Sequence, residues 1–383
     1  MATLNVDPVS PTRAYQIAKA CLQHRTAPCF FHGKPGIGKS ELVMQLADEF
    51  NMKLEILMLT QIDAQDLRGI QYPDPITKRM VYYPPEFLPG QDSPPTLLFL
   101  DELTGAEPRL QVSAYQLLLS RRIGSYHLPD NCLVCAAGNS TADGAVAYEM
   151  GTALASRLLH IAVQAEPRSW LSWASVNNMH PSVMSLIQLK GNLLEDTDKQ
   201  LEQGNLIGPN PRAWAQVSGI LHKVGIGNRE LAEPMVEGLI GRSAAAELFL
   251  HAQEMSDVPS AEVLMGMPPM QAAAMVPRTI PALYGIVFSL VAYSDTVEHM
   301  QRTLGIMNAL PTTHTGLPAG DCVALAMELI FEKADRTHLT GELMKTAEFI
   351  ENVGKIQDIR DIATATTSMK DKRKNDAKKL AKA

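Results

Sequence analysis

Short apolar runs separated by polar and turn-forming stretches recur through the first 165 residues. Each run has the length of a strand and little internal alternation of apolar and polar side chains, which is typical of parallel strands buried on both faces. The runs occupy residues 28–32, 54–59, 96–100, 133–137 and 158–163. With helices between them, they predict an α/β fold in which a parallel sheet is doubly wound, that is, covered by helices on both faces.

A glycine-rich segment lies between the first run and a predicted helix at 41–50. It fits the pattern G-x-x-x-x-G-K-[ST] and consists of Gly33, Lys34, Pro35, Gly36, Ile37, Gly38, Lys39 and Ser40. A strand before this pattern and a helix after it distinguish a phosphate-binding loop from a chance match. Backbone N–H groups and the helix N-terminus can then surround phosphates, while Lys39 reaches the β- and γ-phosphates and the Ser40 hydroxyl ligates Mg²⁺. The segment predicts binding of ATP with Mg²⁺.

Two acidic residues, Asp101 and Glu102, end the third apolar run. At the carboxyl end of a strand that follows a phosphate loop, Asp101 is placed to hold Mg²⁺ and Glu102 to orient and polarise the attacking water. Taken alone, such a pair often marks only the end of a strand. The preceding phosphate loop favours the catalytic interpretation.

The order of these motifs resembles the AAA+ superfamily and, within it, the MoxR-type ATPases, which are relatives of the NorQ and CbbQ activators and of the motor subunit of magnesium chelatase. The phosphate loop and Asp101-Glu102 match the two Walker motifs, and residues 65–88 resemble an insertion that marks this group. The resemblance covers approximately residues 10 to 250. It implies a P-loop NTPase fold, Mg²⁺-dependent ATP hydrolysis and a homo-oligomer in the form of a hexameric ring.

The same resemblance implies roles for three polar residues. Asn139 corresponds to the sensor 1 position, and Arg212 to the sensor 2 position near the start of a lid helix. Arg157 falls where the family carries its arginine finger, although the family's Asp-Arg-Phe is Ser-Arg-Leu here. Asparagine can hold a water without adding charge, and arginine donates two parallel hydrogen bonds to phosphate. The alternatives are a loop cap for Asn139, a surface ion pair for Arg157 and an ordinary first-turn residue for Arg212.

Three domains are expected: an AAA+ nucleotide-binding α/β domain at 1–165, a helical lid domain at 166–255 and a helical C-terminal extension with a basic tail at 256–383. Residues 258–281 are rich in Met and Pro and are interpreted as a linker or an adaptable contact surface, or alternatively as a loop packed on the lid. Residues 282–310 and 321–350 are expected to be helical.

Composition narrows the class of protein. Apolar residues make up 46% of the chain and charged residues 20%, as in a globular protein, and the net charge of −7 with a pI near 5.8 gives no overall signal for nucleic acid or an anionic membrane. The longest apolar stretch, at 282–293, is too short for a membrane span, and no secretory signal is expected. A cytoplasmic location is therefore expected.

Five cysteines are too few and too scattered for a disulfide framework. Cys132 and Cys135 have the spacing of a metal or redox pair, but they lie in a predicted strand. Positions i and i+3 of a strand face opposite sides, so the two thiols are expected to diverge and to be buried as ordinary core side chains.

These features favour a ring-forming motor that remodels or activates a protein partner. The resemblance implies a partner that contains a von Willebrand A domain. The alternative is a nucleic-acid-associated motor or loader, for which the basic tail at 370–383 is the one sequence feature. A third class, a monomeric P-loop switch or kinase, is not expected to combine the two sensors with an arginine finger.

Overall fold

The computed structural model describes residues 5–139, 148, 150–255, 257–277, 279–310, 313–314 and 317–351. The basic tail at 370–383 and Ser140, which follows the predicted sensor residue, lie outside the described residues. The chain divides into two compact units. The first takes the chain up to Ser169 together with Glu195–Leu206 and Asn210–Ala213, and the second takes the remainder.

The first unit is built on a five-stranded parallel sheet, which confirms the predicted fold class. In the order of the sheet, its strands are β2 (Lys53–Met58), β5 (Thr96–Asp101), β8 (Cys132–Gly138), β1 (Cys29–His32) and β9 (Leu159–Ala162). Every neighbouring pair is parallel. From β1 the chain passes to the edge strand β2, returns to β8 beside β1, and then crosses to β9 on the other side of β1. Ligands of such sheets bind at the carboxyl ends of the strands, near this reversal of order.

Helices cover both faces of the sheet, and its strand β5 is buried along its whole length. Helices α1 (Pro11–His24) and α2 (Lys39–Glu49) pack on one face, where Leu42, Val43 and Leu46 of α2 are buried. Helices α3 (Ala64–Arg68) and α4 (Pro108–Ser120) pack on the other face. The short helix α5 (Thr152–Ala155) precedes β9.

Two antiparallel hairpins were not predicted. Strands β3 (Ile70–Asp74) and β4 (Arg79–Tyr83) form the first, inside the insertion at 65–88, and β6 (Arg122–Ile123) and β7 (Tyr126–His127) form the second. Most side chains of β3 and β4 are exposed, so neither strand has the apolar run by which the sheet strands were identified.

The cysteine pair adopts the predicted arrangement. Cys132 belongs to the core on the α4 face of the sheet and Cys135 to the core on the α2 face. Burial raises the pKa of the Cys132 thiol to about 11 and that of Cys135 further above its ordinary value. Thiols kept protonated on opposite faces cannot act as a metal or redox pair.

In the part of the second unit that the structure describes, all elements are helices apart from one short hairpin. Its first helices are α6 (Pro167–Val176), α7 (Pro181–Leu189), α9 (Pro211–Val224), α10 (Arg229–Ile240) and α11 (Arg242–Glu254). The six-residue α8 (Thr197–Glu202) belongs to the first unit. Further along lie α12 (Ala261–Met265), α13 (Pro269–Ala274), α14 (Ile280–Tyr293), α15 (Val297–Asn308), β10 (Thr313–His314), β11 (Leu317–Pro318), α16 (Ala319–Arg336) and α17 (Thr340–Leu343). Division of this region into a lid at 166–255 and an extension at 256–383 stays a prediction.

The Met- and Pro-rich stretch at 258–281 contains helices, whereas a linker or a loop was expected; its interpretation as an adaptable contact surface stays a prediction. It forms α12 and α13, which pack on α14 and α15, and it buries Leu264 and Ala272 completely. Proline lies at the first position of α13, where a missing N–H costs no helical hydrogen bond, so the prolines here begin a helix instead of excluding one.

No helix among the described residues is long and apolar enough to span a membrane.

Acid is expected to destabilise the second unit through a half-buried histidine, His180. The His180 side chain caps α7 by accepting a hydrogen bond from the Ser182 N–H, and burial, with the nearby His222, lowers its pKa from 6.5 to about 4. Between these two pH values His180 is mostly protonated in the unfolded chain and mostly neutral in the folded chain. The free energy of unfolding should therefore fall as the pH drops from about 6.5 towards 4, with a contribution from His180 of at most about 1.4 kcal/mol per pH unit.

The matched variant is His180→Asn, because an asparagine oxygen can cap the helix without titrating. Chemical unfolding at pH 7.5, 6.5 and 5.5 should give a shallower loss of stability for the variant than for the parent. Equal slopes would exclude His180 as a source of the acid sensitivity.

Candidate functional site

The phosphate loop connects β1 to α2 at the carboxyl edge of the sheet. Gly38 is the residue before α2 and has a φ of 104°, a left-handed conformation that glycine adopts without strain. A Cβ atom built on Gly38 would meet no atom within 4 Å. The first N–H groups of α2 therefore border a space into which a phosphate fits, and the helix N-terminus favours negative charge there.

Lys39 is buried at the centre of this site, with 8% of its surface exposed. Its Nζ donates hydrogen bonds to Gly33 O at 2.5 Å, to Lys34 O at 3.2 Å and to Asn139 Oδ1 at 2.8 Å. The loop thus holds the lysine ammonium by its own carbonyls and by the residue after β8. Lys39 and Asn139, which are far apart in the sequence, share this site as the resemblance implied.

Ser40 and Asp101, the two predicted metal ligands, are in contact. The Ser40 hydroxyl donates to Asp101 Oδ2 at 3.0 Å, and Asp101 Oδ1 accepts from the Glu102 N–H at 2.8 Å. A hydroxyl and a carboxylate at this distance are the oxygen ligands that Mg²⁺ takes beside phosphate. The two residues fit a Mg²⁺ ion, and their role as ligands stays a prediction.

Glu102 is oriented by its backbone and by a residue that the sequence did not single out. It has a left-handed φ of 56°, which is uncommon for a residue with a side chain. The Thr60 hydroxyl, just after β2, donates a hydrogen bond to Glu102 Oε2. Thr60 therefore holds one oxygen of the carboxylate predicted to activate water, and no local sequence signal points to it.

Asn139 is held by its backbone as well as by Lys39. It follows β8 directly, and its carbonyl accepts a hydrogen bond from the Thr104 hydroxyl at 2.8 Å. Thr104 itself is buried, in the turn after Glu102. The turn after β5 and the end of β8 are thereby joined, which places the Asn139 side chain beside the phosphate loop.

The sensor 2 segment reaches the phosphate loop through its backbone. The Arg212 N–H, in the first turn of α9, donates to Gly36 O at 3.1 Å. The Asn210 side chain lies so close to Gly36 that a Cβ atom there would be 2.5 Å from Asn210 Oδ1. Gly36 also has a φ of 80°, so glycine is favoured at this position both by the backbone conformation and by the closeness of Asn210. The Arg212 side chain is exposed.

Arg157 stands apart from this cluster. It follows the end of α5 and is exposed. The hydrogen bonds that join Lys39, Ser40, Asp101 and Asn139 do not include it. An exposed position is what an arginine finger for a neighbouring subunit requires, and it is equally what a surface residue has.

A histidine pair beneath the phosphate loop was also missed. His32, the last residue of β1, contacts His160 of β9 with Nε2 and Nδ1 separated by 2.7 Å, and His160 Nε2 donates to Ala155 O at 2.8 Å. Burial, then His160 and Lys39, lower the pKa of His32 to about 4. The His32 ring is therefore neutral at neutral pH and adds no charge beside Lys39. Parallel pairing of β1 with β9 brings the two together.

The Lys34 side chain forms ion pairs outside the phosphate loop. Its Nζ forms ion pairs with Glu195 Oε2 at 2.9 Å and with Asp198 Oδ2 at 2.6 Å. The sequence pattern of the loop leaves this position free, so the pattern predicts no particular partner for the lysine.

Comparison with known proteins agrees with this geometry. Residues 28–143 match the family described as the AAA domain of the dynein-related subfamily. A search of the curated proteins finds no match. Residues 28–143 therefore form an AAA domain, and the chain is an ATPase.

Several solved structures share features of the chain at low identity. A candidate ATPase from Cytophaga hutchinsonii is 12% identical with a TM-score of 0.31, over 91% of this chain and 90% of that one. The Holliday junction branch migration motor RuvB of Thermotoga maritima is 12% identical with a TM-score of 0.33, over 69% and 80%. NtrX from Brucella abortus is 11% identical with a TM-score of 0.30, over 84% and 68%. Likenesses this distant carry no argument about function.

Proposed function

We propose that this ATPase hydrolyses ATP with Mg²⁺ as one subunit of a MoxR-type AAA+ ring and acts on a protein partner. The observation that carries the proposal is the set of hydrogen bonds around Lys39 and Asp101. They bring together the phosphate loop, the acidic pair after β5 and Asn139 after β8. Each of these groups has a part in hydrolysis of a γ-phosphate and no comparable use in the packing of a strand end.

Binding of ATP uses the loop and Lys39. The N–H groups at the start of α2 donate to the phosphates, and the Lys39 ammonium exchanges its carbonyl partners for β- and γ-phosphate oxygens. Ser40 and Asp101 would hold Mg²⁺, which neutralises charge on the β- and γ-phosphates when bound. A lysine already buried and oriented loses little side-chain entropy on binding.

Hydrolysis uses Glu102 and Asn139. The Glu102 carboxylate accepts a proton from the attacking water, and Thr60 keeps that carboxylate oriented towards the strand ends. The Asn139 side chain, beside Lys39, donates from its amide nitrogen to the water or the γ-phosphate. Arg212, in the first turn of α9, would add a guanidinium to the phosphates.

Arg157 gives a test of the ring. We expect Arg157→Ala to bind ATP as the parent does and to lose hydrolysis by about a thousandfold, because an arginine that meets the transition state of phosphoryl transfer has an effect of this size. Mixed with an excess of Glu102→Gln subunits, it should regain activity. The intact Arg157 of one subunit then faces the intact Glu102 of its neighbour, whereas neither pure variant has both groups in one site.

ATPase rates over a series of mixing ratios, with co-assembly confirmed by mass in solution, provide the measurement. Specific activity of the parent should also rise with subunit concentration. If mixing restores no ATPase activity although the subunits co-assemble, Arg157 is not supplied to a neighbouring subunit's site. The assignment of ATPase activity is unaffected by that result. If Arg157→Ala alone stays fully active, Arg157 is a surface residue.

The protein partner is the remaining part of the proposal. The MoxR-type resemblance implies a partner that contains a von Willebrand A domain. Capture of such a partner should depend on nucleotide, because a motor binds its client differently in its ATP and ADP states. Stable association with the Glu102→Gln variant in ATP and release in ADP is the expected result. Equal binding in both states would argue against a motor.

A further inference from the structure

Residues 195–206 form a separate contact with the phosphate loop. They belong to the first compact unit, whereas the chain before them, Trp170–Leu194, and after them, Ile207–Pro209, belongs to the second. The segment is therefore joined to the second unit by the chain at both of its ends.

The segment is held through Lys34. The Lys34 ammonium lies between Glu195 Oε2 and Asp198 Oδ2, at 2.9 and 2.6 Å. Lys34 and Glu195 are largely buried, with 23% and 19% of their side chains exposed, and Asp198 is exposed to 60%. Burial by itself lowers the pKa of Lys34, but the hydrogen bonds to Asp198 and Glu195 outweigh it and raise that pKa. The lysine is charged, and part of its attraction to the carboxylates is shielded from water.

The carboxylate of Glu195 is oriented in advance. Its second oxygen, Oε1, accepts a hydrogen bond from the Thr197 N–H at 2.9 Å, at the start of α8. One oxygen therefore binds the backbone of its own segment while the other binds Lys34. The Glu195 carboxylate thus connects the start of α8 directly to the Lys34 ammonium.

Lys34 connects the ion pair to the phosphate-binding lysine. Its carbonyl accepts a hydrogen bond from Lys39 Nζ at 3.2 Å, while its side chain binds Glu195 and Asp198. Lys34 thus contacts Lys39 through its carbonyl and residues 195–206 through its side chain, so its conformation affects both contacts. Release of the side chain frees the loop to take other conformations, which must be reordered when phosphate binds.

We infer that Glu195 and Asp198 are positioning residues for the phosphate loop, which they hold through Lys34 in the conformation that binds nucleotide. By the same contact, nucleotide in the loop stabilises residues 195–206, whose two ends continue into the second unit. This inference rests on the proposed nucleotide site. It assigns to Lys34 a role distinct from that of Lys39, because Lys34 acts on the loop and not on the phosphates.

Three variants separate the alternatives: Lys34→Met, the double variant Glu195→Gln with Asp198→Asn, and the combination of all three. In titrations with a fluorescent ADP, Lys34→Met and the acidic double variant should each bind about two- to fivefold more weakly than the parent, since an ion pair at or near the surface changes an equilibrium constant by about fivefold at most. The combination should be no weaker than either, because all three changes remove one interaction. Lys34→Arg should restore affinity.

Two further readouts distinguish positioning from a general loss of stability. In ATP hydrolysis, KM should rise while kcat stays near the parental value. Addition of ADP should slow hydrogen exchange over residues 195–206 in the parent but not in Lys34→Met. Glu247→Gln is the control, because it removes the partner of Lys190 at an exposed ion pair of the second unit and should change none of these values.

The outcomes against the inference are distinct. If Lys34→Met weakens ADP binding while the acidic double variant leaves it unchanged or tightens it, Lys34 is a phosphate ligand and the inference is overturned. If neither change alters affinity, the ion pair is a surface feature and the inference is overturned as well. If Lys39→Ala also binds ADP as the parent does, the nucleotide site itself is wrong, which separates that failure from failure of the positioning role.

Discussion

Glu102→Gln should bind ATP as tightly as the parent and hydrolyse it about a thousandfold more slowly, the effect expected when a general base is removed. The amide keeps the shape of the carboxylate and cannot accept the proton of the attacking water. Lys39, Ser40 and Asp101, which are proposed to hold the phosphates and the metal, are unchanged. The measurement is a single-turnover hydrolysis rate together with a titration of ATP binding.

Glu107→Gln is the matched control for this experiment. Glu107 lies five positions further on, immediately before α4, and is exposed. It should hydrolyse ATP at the parental rate. A Glu102→Gln variant that turns over as fast as this control would remove Glu102 from the mechanism, and the Thr60 hydrogen bond would then serve only to hold the turn.

Lys39→Ala should lose nucleotide binding by at least about a hundredfold. The ammonium is buried and makes three hydrogen bonds within the site, so its removal eliminates charge-assisted contacts to two phosphates that no other group can replace. Alanine is compatible with the first turn of α2, so the fold should persist. Affinity for ADP and ATP by titration, with thermal unfolding to confirm folding, tests the expectation.

Lys19→Ala provides the comparison. Lys19 lies in α1, pairs with Glu49 and is 37% exposed, and its removal also changes a helical lysine to alanine. It should leave affinity unchanged. If Lys39→Ala binds nucleotide as this control does, the phosphate-loop interpretation fails and the roles of Ser40 and Asp101 fail with it.

The strands of the sheet could be predicted because their signal is local. A parallel strand buried on both faces is a run of apolar residues, and all five runs correspond to strands within one or two residues of their bounds. The divergence of Cys132 and Cys135 followed from the same two-residue period. The phosphate loop could be predicted equally well, because its glycines and Lys39 lie within one short stretch of the sequence.

The elements that were missed lack such a signal. The strands of the β3–β4 hairpin are largely exposed, and only their pairing with each other defines them. The helices α12 and α13 are too short for a clear period, and their burial against α14 and α15 determines their structure. Proline there suggested a loop, but it lies in the first turn of a helix, where proline is tolerated.

The amino-acid sequence by itself determined the fold class, the phosphate loop and the acidic pair, since each depends on the order of residue types over a short distance. The tertiary structure alone decided which groups accompany Lys39 and Glu102. Thr60 meets Glu102, Asn139 meets Lys39, and Glu195 meets Lys34. These pairs are widely separated in the chain and are brought together by the order of strands in the sheet and by the return of residues 195–206 and 210–213 to the first unit. No local pattern encodes them, because the contact depends on the path of the chain between its two members.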